Sequence, residues 1–278
     1  MSEAAVESLH LYPVKGCAGI DLAAADVTVT GLCIDGAADR EWMVVDETGR
    51  FLTQREFPRL ALVRTSVADG HLCLAAPHMP DLIVARRRDG PSAEVVVWRS
   101  EVRGFDAGDR AAQWLSDWLA HDARLVLFDS TRPRACNPDY VGDSGAHTYF
   151  ADGYPVLVAG TAALDDLNRR LAQRRESPLP MNRFRPNVVL RGLVAFDEDH
   201  VDTLTIGDVM LRLVKPCTRC QVTTTDQATA HVGVEPLRTL GEYRMDEKLG
   251  GITFGMNAIV VRSGTIANGM PATLDYRF

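Results

Sequence analysis

The sequence predicts a mainly β chain of the α+β kind, folded as two modules, and three observations carry that prediction. Short runs rich in β-branched and apolar residues recur along most of the chain and are broken by Gly and Pro, the pattern of a barrel or a sandwich. Helical spacing of apolar residues is confined to two substantial stretches, 109–120 and 161–171. At 278 residues the chain exceeds the usual size of one domain.

Taken in order, strands are expected at 8–12, 27–30, 42–46 and 51–54, the third and fourth joined by the polar turn Glu47-Thr48-Gly49-Arg50. Further strands are expected at 61–67, 72–75, 82–85 and 94–99. In 109–120, Ala111, Trp114, Leu115, Trp118 and Leu119 share one face, so this helix packs both tryptophans into a core. Residues 124–128 return to strand, and 129–154, rich in Asp, Ser, Gly and Pro, read as a loop or a ligand-closing flap. The domain boundary is placed before that segment, giving 1–128 and 129–278. Gly142-Asp143-Ser144-Gly145 inside it resembles the nucleophile sequence of trypsin-like proteases, but four residues without matching His and Asp signatures make no protease. After a strand at 156–159, Thr161 can cap a helix whose Leu164, Leu167 and Leu171 form one face. Strands follow at 184–190 and on either side of Gly207; the Thr-rich 221–225 is expected as another, Pro236 opens a short helix, and 254–269 supplies closing strands.

Composition narrows the function classes. The chain is 46% hydrophobic and 24% charged with net charge −7, which suits a globular protein and gives no general attraction to nucleic acid or to an anionic membrane. No apolar run reaches the length of a membrane span, and Met1-Ser2-Glu3-Ala4 lacks the basic and apolar regions of a signal peptide, so a cytoplasmic protein is expected. Six irregularly spaced cysteines fit a reducing compartment better than a disulfide framework.

The densest chemistry lies at Lys215-Pro216-Cys217-Thr218-Arg219-Cys220, where a Pro that stops ladder pairing should turn a strand end into a loop presenting soft ligands. Structural zinc would need two further ligands, and no second CxxC or HxxxH follows; His200 and His231 are isolated. A thioredoxin-type dithiol would need a helix after it, where this chain has β-branched residues. Two packed, inert thiols remain the plain alternative. Lys15, Arg40, Arg185 and Arg219 stand in Gly, Pro or Cys contexts at predicted strand ends. Brought together, four cations around two thiols would hold an anionic ligand with a soft centre.

Tyr12-Pro13-Val14-Lys15-Gly16-Cys17 and Asp39-Arg40-Glu41-Trp42-Met43-Val44 resemble the N-terminal β-barrel module that precedes the MOSC domain. Phe184-Arg185-Pro186-Asn187, Leu204-Thr205-Ile206-Gly207, Pro216-Cys217-Thr218-Arg219-Cys220 with Asp226, and Phe254-Gly255-Met256-Asn257 resemble the MOSC domain itself. The match runs in order along nearly the whole chain and is most similar to the amidoxime-reducing components. It implies an N-terminal β-barrel-like module, a C-terminal MOSC β-barrel with peripheral helices, and a molybdenum cofactor, Mo-molybdopterin, in the cleft between them.

By the same resemblance, Cys220 supplies the thiolate on the metal and Cys217 is a neighbour. Lys15, Arg40, Arg185 and Arg219 match basic positions around the pterin phosphate, Asn187, Thr218 and Asn257 match polar contacts, and Asp152 matches an acid near the metal for proton delivery or substrate orientation. Gly16 stands where relatives often carry a hydroxyl residue, and Asn257 where some carry Tyr. The implied activity is reduction of small N-oxygenated compounds, amidoximes and N-hydroxylated bases. Electrons would come from an external donor protein, a ferredoxin or a flavin or iron–sulfur reductase, because the chain holds neither a dinucleotide fingerprint nor a plant-type ferredoxin cysteine set. A cofactor carrier or sulfur-transfer protein using a Cys220 persulfide, and a non-catalytic barrel with a structural or zinc-binding CxxC, are the rival expectations.

Overall fold

The computed structural model describes residues 4–277; Met1 to Glu3 and Phe278 lie outside it. The fold is mainly β, as expected, with four α-helices among the described residues. The largest sheet runs in the order Ile20–Leu22, Ala5–Leu11, Val188–Arg191, Val156–Gly160, Gly251–Arg262, Val209–Thr218, Val201–Ile206 and Ala272–Tyr276. It curls back on itself, because Val6 N–H donates to Met270 at 2.9 Å and Ala272 N–H to Ala4 at 2.8 Å, joining the last strand's start to the first strand. Closure of this kind removes exposed strand edges. The one parallel pair, Val156–Gly160 with Val188–Arg191, is linked through helix α3 (Thr161–Gln173), since parallel neighbours need a long crossover.

The N-terminal half is organised differently. A four-stranded sheet of Ser92–Val97, Ser100–Asp106, Arg124–Phe128 and Trp42–Val45 accompanies a three-stranded sheet of Arg64–Ala68, His71–Ala75 and Leu82–Ala85. Helix α1 (Asp109–Leu119) buries Trp114 and Trp118 in one core with Trp42, Leu72, Leu74 and Leu125. The division at 128/129 does not part the sheets. Ala5–Leu11 and Ile20–Leu22 belong to the large sheet, and Ala24–Thr28 pairs with Gly264–Ala267. Leu9, Leu11, Val27 and Leu32 share a core with Val158, Leu211 and Met256, so the first forty residues or so are built into the C-terminal barrel.

Three local expectations need correction. Residues 51–54 form no strand beyond a single bridge of Phe51 to Val45, because Thr53 accepts backbone bonds from Glu56 and Phe57 and turns the chain. The Thr-rich run is a 3-10 turn, Gln221–Thr224, in which the Thr223 and Thr224 hydroxyls bond back to the carbonyls of Cys220 and Gln221 at 3.0 and 2.8 Å. Such local bonds compete with a strand ladder. Pro216 does not end its strand: Val209–Thr218 continues past it, with register shifts on both sides of Pro216, and a bulge is where a strand tolerates proline. Residues 129–154 also contain helix α2 (Pro138–Val141) and the short pair Arg134–Ala135 with His147–Thr148.

Glu198 is fully buried; its Oε1 accepts from Gly160 N–H at the start of α3 at 3.0 Å, and its Oε2 has no partner among the described residues. Burial pushes its carboxyl from 4.5 up to about 7, with the Gly160 N–H only partly opposing. The native state therefore favours the neutral acid. Its stabilisation is complete below the unfolded value and is lost as pH rises from 4.5 through about 7. At most about 3 kcal/mol is at stake. Glu198→Gln should flatten this pH dependence, so that wild type loses more melting temperature than the variant between pH 5 and pH 8; parallel losses would exclude Glu198 as the titrating group.

Candidate functional site

One cavity lies where the two halves of the chain meet, with about 960 Å³ of empty space counted out to its open mouth. Lys15, Arg40, Asp152, Arg185 and Asn187 line it, together with Cys217, Thr218, Arg219, Cys220 and Asn257. All the residues singled out from sequence thus share one wall system, although 242 positions separate the first from the last. Clefts of this size between structural units are common ligand sites.

Backbone geometry prepares the site. Arg40 and Arg185 both hold left-handed conformations, with φ of 48° and 55°, which non-glycine residues adopt only under constraint. For Arg40 the constraint is visible on both sides. Asp39 is buried and accepts from Tyr12 N–H and from the Asn187 amide at 2.9 Å each, while Glu41 is buried and ion-paired with Arg86 at 2.7 Å and Arg88 at 2.5 Å. Gly255 has φ 73°, and a β-carbon there would meet the Val158 carbonyl at 2.7 Å, so only glycine lets its strand approach Val156–Gly160 so closely.

The cations are not equivalent. Lys15 Nζ donates to Asp152 at 2.5 Å and to the Phe150 carbonyl at 2.8 Å. Arg40 donates to Asp39, and to the Arg185 carbonyl at 3.2 Å. Arg185 and Arg219, by contrast, have no carboxylate within ion-pairing distance among the described residues. Arg185, 8% exposed, reaches only Gln227 at 3.4 Å, and its Nη2 has no partner. Arg219 donates to Cys217 Sγ at 2.8 Å and to the Phe184 carbonyl at 2.5 Å, and its Nε has no partner. The Arg40 and Arg185 guanidiniums each lie 4.3 Å from the centre of the Tyr12 ring, which partly compensates by cation–π attraction. Burial still lowers Arg185 to about 10 and lifts Tyr12 to about 12. A buried cation without a counter-charge is costly, and Arg185, with the half-buried Arg219 on the same cavity wall, makes this wall suited to an anion.

Asp152 sits at the cavity mouth. Desolvation by the cavity walls would raise its carboxyl, although the side chain is 73% exposed, but the Lys15 ammonium, the Lys15 hydrogen bond, a 3.0 Å bond from the Trp98 indole and Arg40 hold it well below the usual carboxylate range. It is therefore an ionised acceptor at neutral pH. Burial, with Arg134 and Arg40, lowers the Lys15 ammonium despite Asp152. Asn187 plays another part: its side chain bonds Asp39, the His10 carbonyl at 3.2 Å and Leu157 N–H at 3.0 Å, so it braces two strands and the turn at Asp39 rather than presenting free polar atoms.

Cys220 immediately precedes the 3-10 turn and Cys217 lies within the strand; both are free thiols. Among the described residues no three His, Cys, Asp or Glu side chains gather as metal ligands, so neighbouring residues do not complete a zinc site around the pair. The loop behind Cys220 is fixed by Arg183, which donates to Asp226 at 3.1 Å, while Asp226 accepts from Ala228 and Thr229 N–H at 2.9 Å. Gln54 and Gln227 carry no mark in the sequence, yet their side-chain amides exchange bonds at 3.0 and 3.2 Å across 173 positions, and Gln54 also holds the Gly16 carbonyl at 2.6 Å. Phe51 and Trp98 also stand on the cavity wall. No local periodicity marks any of the four.

The profile of the MOSC N-terminal beta barrel domain matches residues 3–122, and that of the MOSC domain matches residues 146–273. The chain is 37% identical to mitochondrial amidoxime reducing component 2 of Bos taurus over 86% of this chain and 72% of that protein. It is 36% identical to mitochondrial amidoxime-reducing component 1 of Mus musculus and 35% identical to that of Homo sapiens, each over 97% of this chain and 82% of the relative. At this identity and coverage, the chain belongs to the MOSC-domain family that includes the amidoxime-reducing components.

Proposed function

We propose that the protein is a molybdenum-cofactor-dependent reductase of N-hydroxylated compounds such as amidoximes and N-hydroxylated bases. The observation that carries this reading is that Arg185, buried, and Arg219, half-buried with its Nε enclosed, have no anionic partner among the described residues and line the same cavity as the free thiol of Cys220. A pterin phosphate would supply the missing anion, held by Arg185 and Arg219, and Cys220 would supply a soft thiolate ligand to the cofactor's metal. Thr218 and Asn257 add polar wall, while Lys15 and Arg40, already paired, set the field around the anion. The names of the relatives support the substrate class.

When bound, the cofactor supplies the two electrons that break the N–O bond; with two protons, R–NHOH becomes R–NH2 and water. Asp152, kept ionised, accepts a hydrogen bond from the substrate and orients it rather than donating a proton. Lys15 Nζ, with its lowered pKa, is the adjacent group that holds a proton to give. The partner is an external ferredoxin or flavin or iron–sulfur reductase, and a cytoplasmic location is part of the proposal.

Protein made in a molybdate-supplied host should carry molybdenum and pterin, and should reduce an N-hydroxylated base with an artificial low-potential donor. With NADH it should turn over only after a reductase or ferredoxin is added. Turnover with NADH and the chain alone would sink the partner requirement. A loaded protein inactive with every donor would favour a cofactor carrier, and cyanide-labile sulfur without molybdenum would favour sulfur transfer.

A further inference from the structure

A second hollow adjoins the cavity and shares Phe51, Thr53, Arg55 and Trp98 with it. Arg50, Glu56 and Val96 complete its lining, and it encloses about 700 Å³ counted to its open side. Trp98 is out of place by ordinary criteria. It occupies the first position of a two-residue hairpin tip, since Val97 pairs with Ser100, and its φ is 58°. Gly, Asn and Asp dominate such positions, and a bulky side chain there is strained. The indole is also 43% exposed, so core packing does not explain it.

What the indole touches suggests its use. Its Nε1 donates to Asp152 Oδ1 at 3.0 Å, its ring meets Phe51 edge-on at 5.0 Å, and the Arg55 guanidinium lies 5.0 Å from its centre. Ring and carboxylate are thus fixed to one another at the junction of the two hollows. A ligand with an N–H group for Asp152 and a planar ring bonded directly beside it would use both. We infer that Phe51 and Trp98 form an aromatic subsite that selects aryl-bearing N-hydroxylated amidines, the aryl ring packing on Trp98 while Asp152 accepts from the amidine N–H. This rests on the reductase reading above and adds to it a determinant of substrate choice. Alkyl amidines meet the carboxylate alone.

The test compares benzamidine with acetamidine, and benzamidoxime with acetamidoxime, on cofactor-loaded wild type, Trp98→Ala, Trp98→Phe and Trp98→Gly. By calorimetry, wild type should bind benzamidine about tenfold more tightly than acetamidine, the scale of one aromatic contact with its buried area. Trp98→Ala should erase that preference and Trp98→Phe should keep most of it, although neither can donate to Asp152. In turnover, the ratio of the two KM values should collapse towards one in Trp98→Ala. Trp98→Gly relieves the strained tip, so its melting temperature should not fall below wild type even though the preference is lost, which separates recognition from folding. A preference unchanged in Trp98→Ala overturns the subsite and leaves the reductase standing. Trp98-dependent benzamidine binding without reduction of benzamidoxime supports the subsite and overturns the reductase.

Discussion

Cys220→Ser is expected to lower N-hydroxy reduction by more than about a hundredfold while leaving the fold unchanged, because partners that merely orient metal ligands already contribute 10–100-fold. Cys220 is half-buried, and the turn that follows is held by its backbone carbonyl, which a serine keeps. Cys217→Ser should behave differently. Its sulfur accepts from Arg219 at 2.8 Å, and a serine oxygen can accept the same bond, so the variant should retain molybdenum near the wild-type content. Elemental analysis and activity on the two variants check this. Equal loss of molybdenum in both would contradict a single-thiolate site and would return the CxxC to a joint role.

Arg185→Gln should weaken cofactor retention by roughly 10- to 150-fold, taking a charge-assisted contact as about 1.5–3 kcal/mol. The apo protein should respond in the opposite sense. Removing a buried guanidinium that has no counter-ion among the described residues should not lower the melting temperature, since only the Tyr12 ring offsets its charge. Arg170 and Arg174 are the controls: both are on or at the end of α3 and ion-paired at the surface with Asp166 and Glu242, contacts of about 0–1 kcal/mol. Their Gln variants should keep the cofactor. The measurements are pterin content after gel filtration and thermal melts with and without cofactor. Indistinguishable occupancy across Arg185→Gln, Arg170→Gln and Arg174→Gln would remove Arg185 from the site.

The sequence by itself determined the fold class, most strands and the two long helices, because these depend on local periodicity. Residues 82–85 and 124–128 were legible to the residue, as each is a short β-branched or apolar run between polar breaks. The motif residues Lys15, Arg40, Arg185, Arg219 and Cys220 were legible through resemblance, and the fold gathers them into one cavity. What only the tertiary structure decided is how charge and space are distributed among them. Lys15 and Arg40 find carboxylates, whereas Arg185 and Arg219 do not, and this difference arises from side chains that meet across the fold: Lys15 with Asp152 is 137 positions apart. The same holds for Asn187 as a brace, for the Gln54–Gln227 clasp, and for Trp98 meeting Asp152. It also holds for the incorporation of the first strands into the C-terminal barrel, since strand pairing over such separations is set by which apolar faces the closed sheet can bury, and no local window of sequence contains both partners.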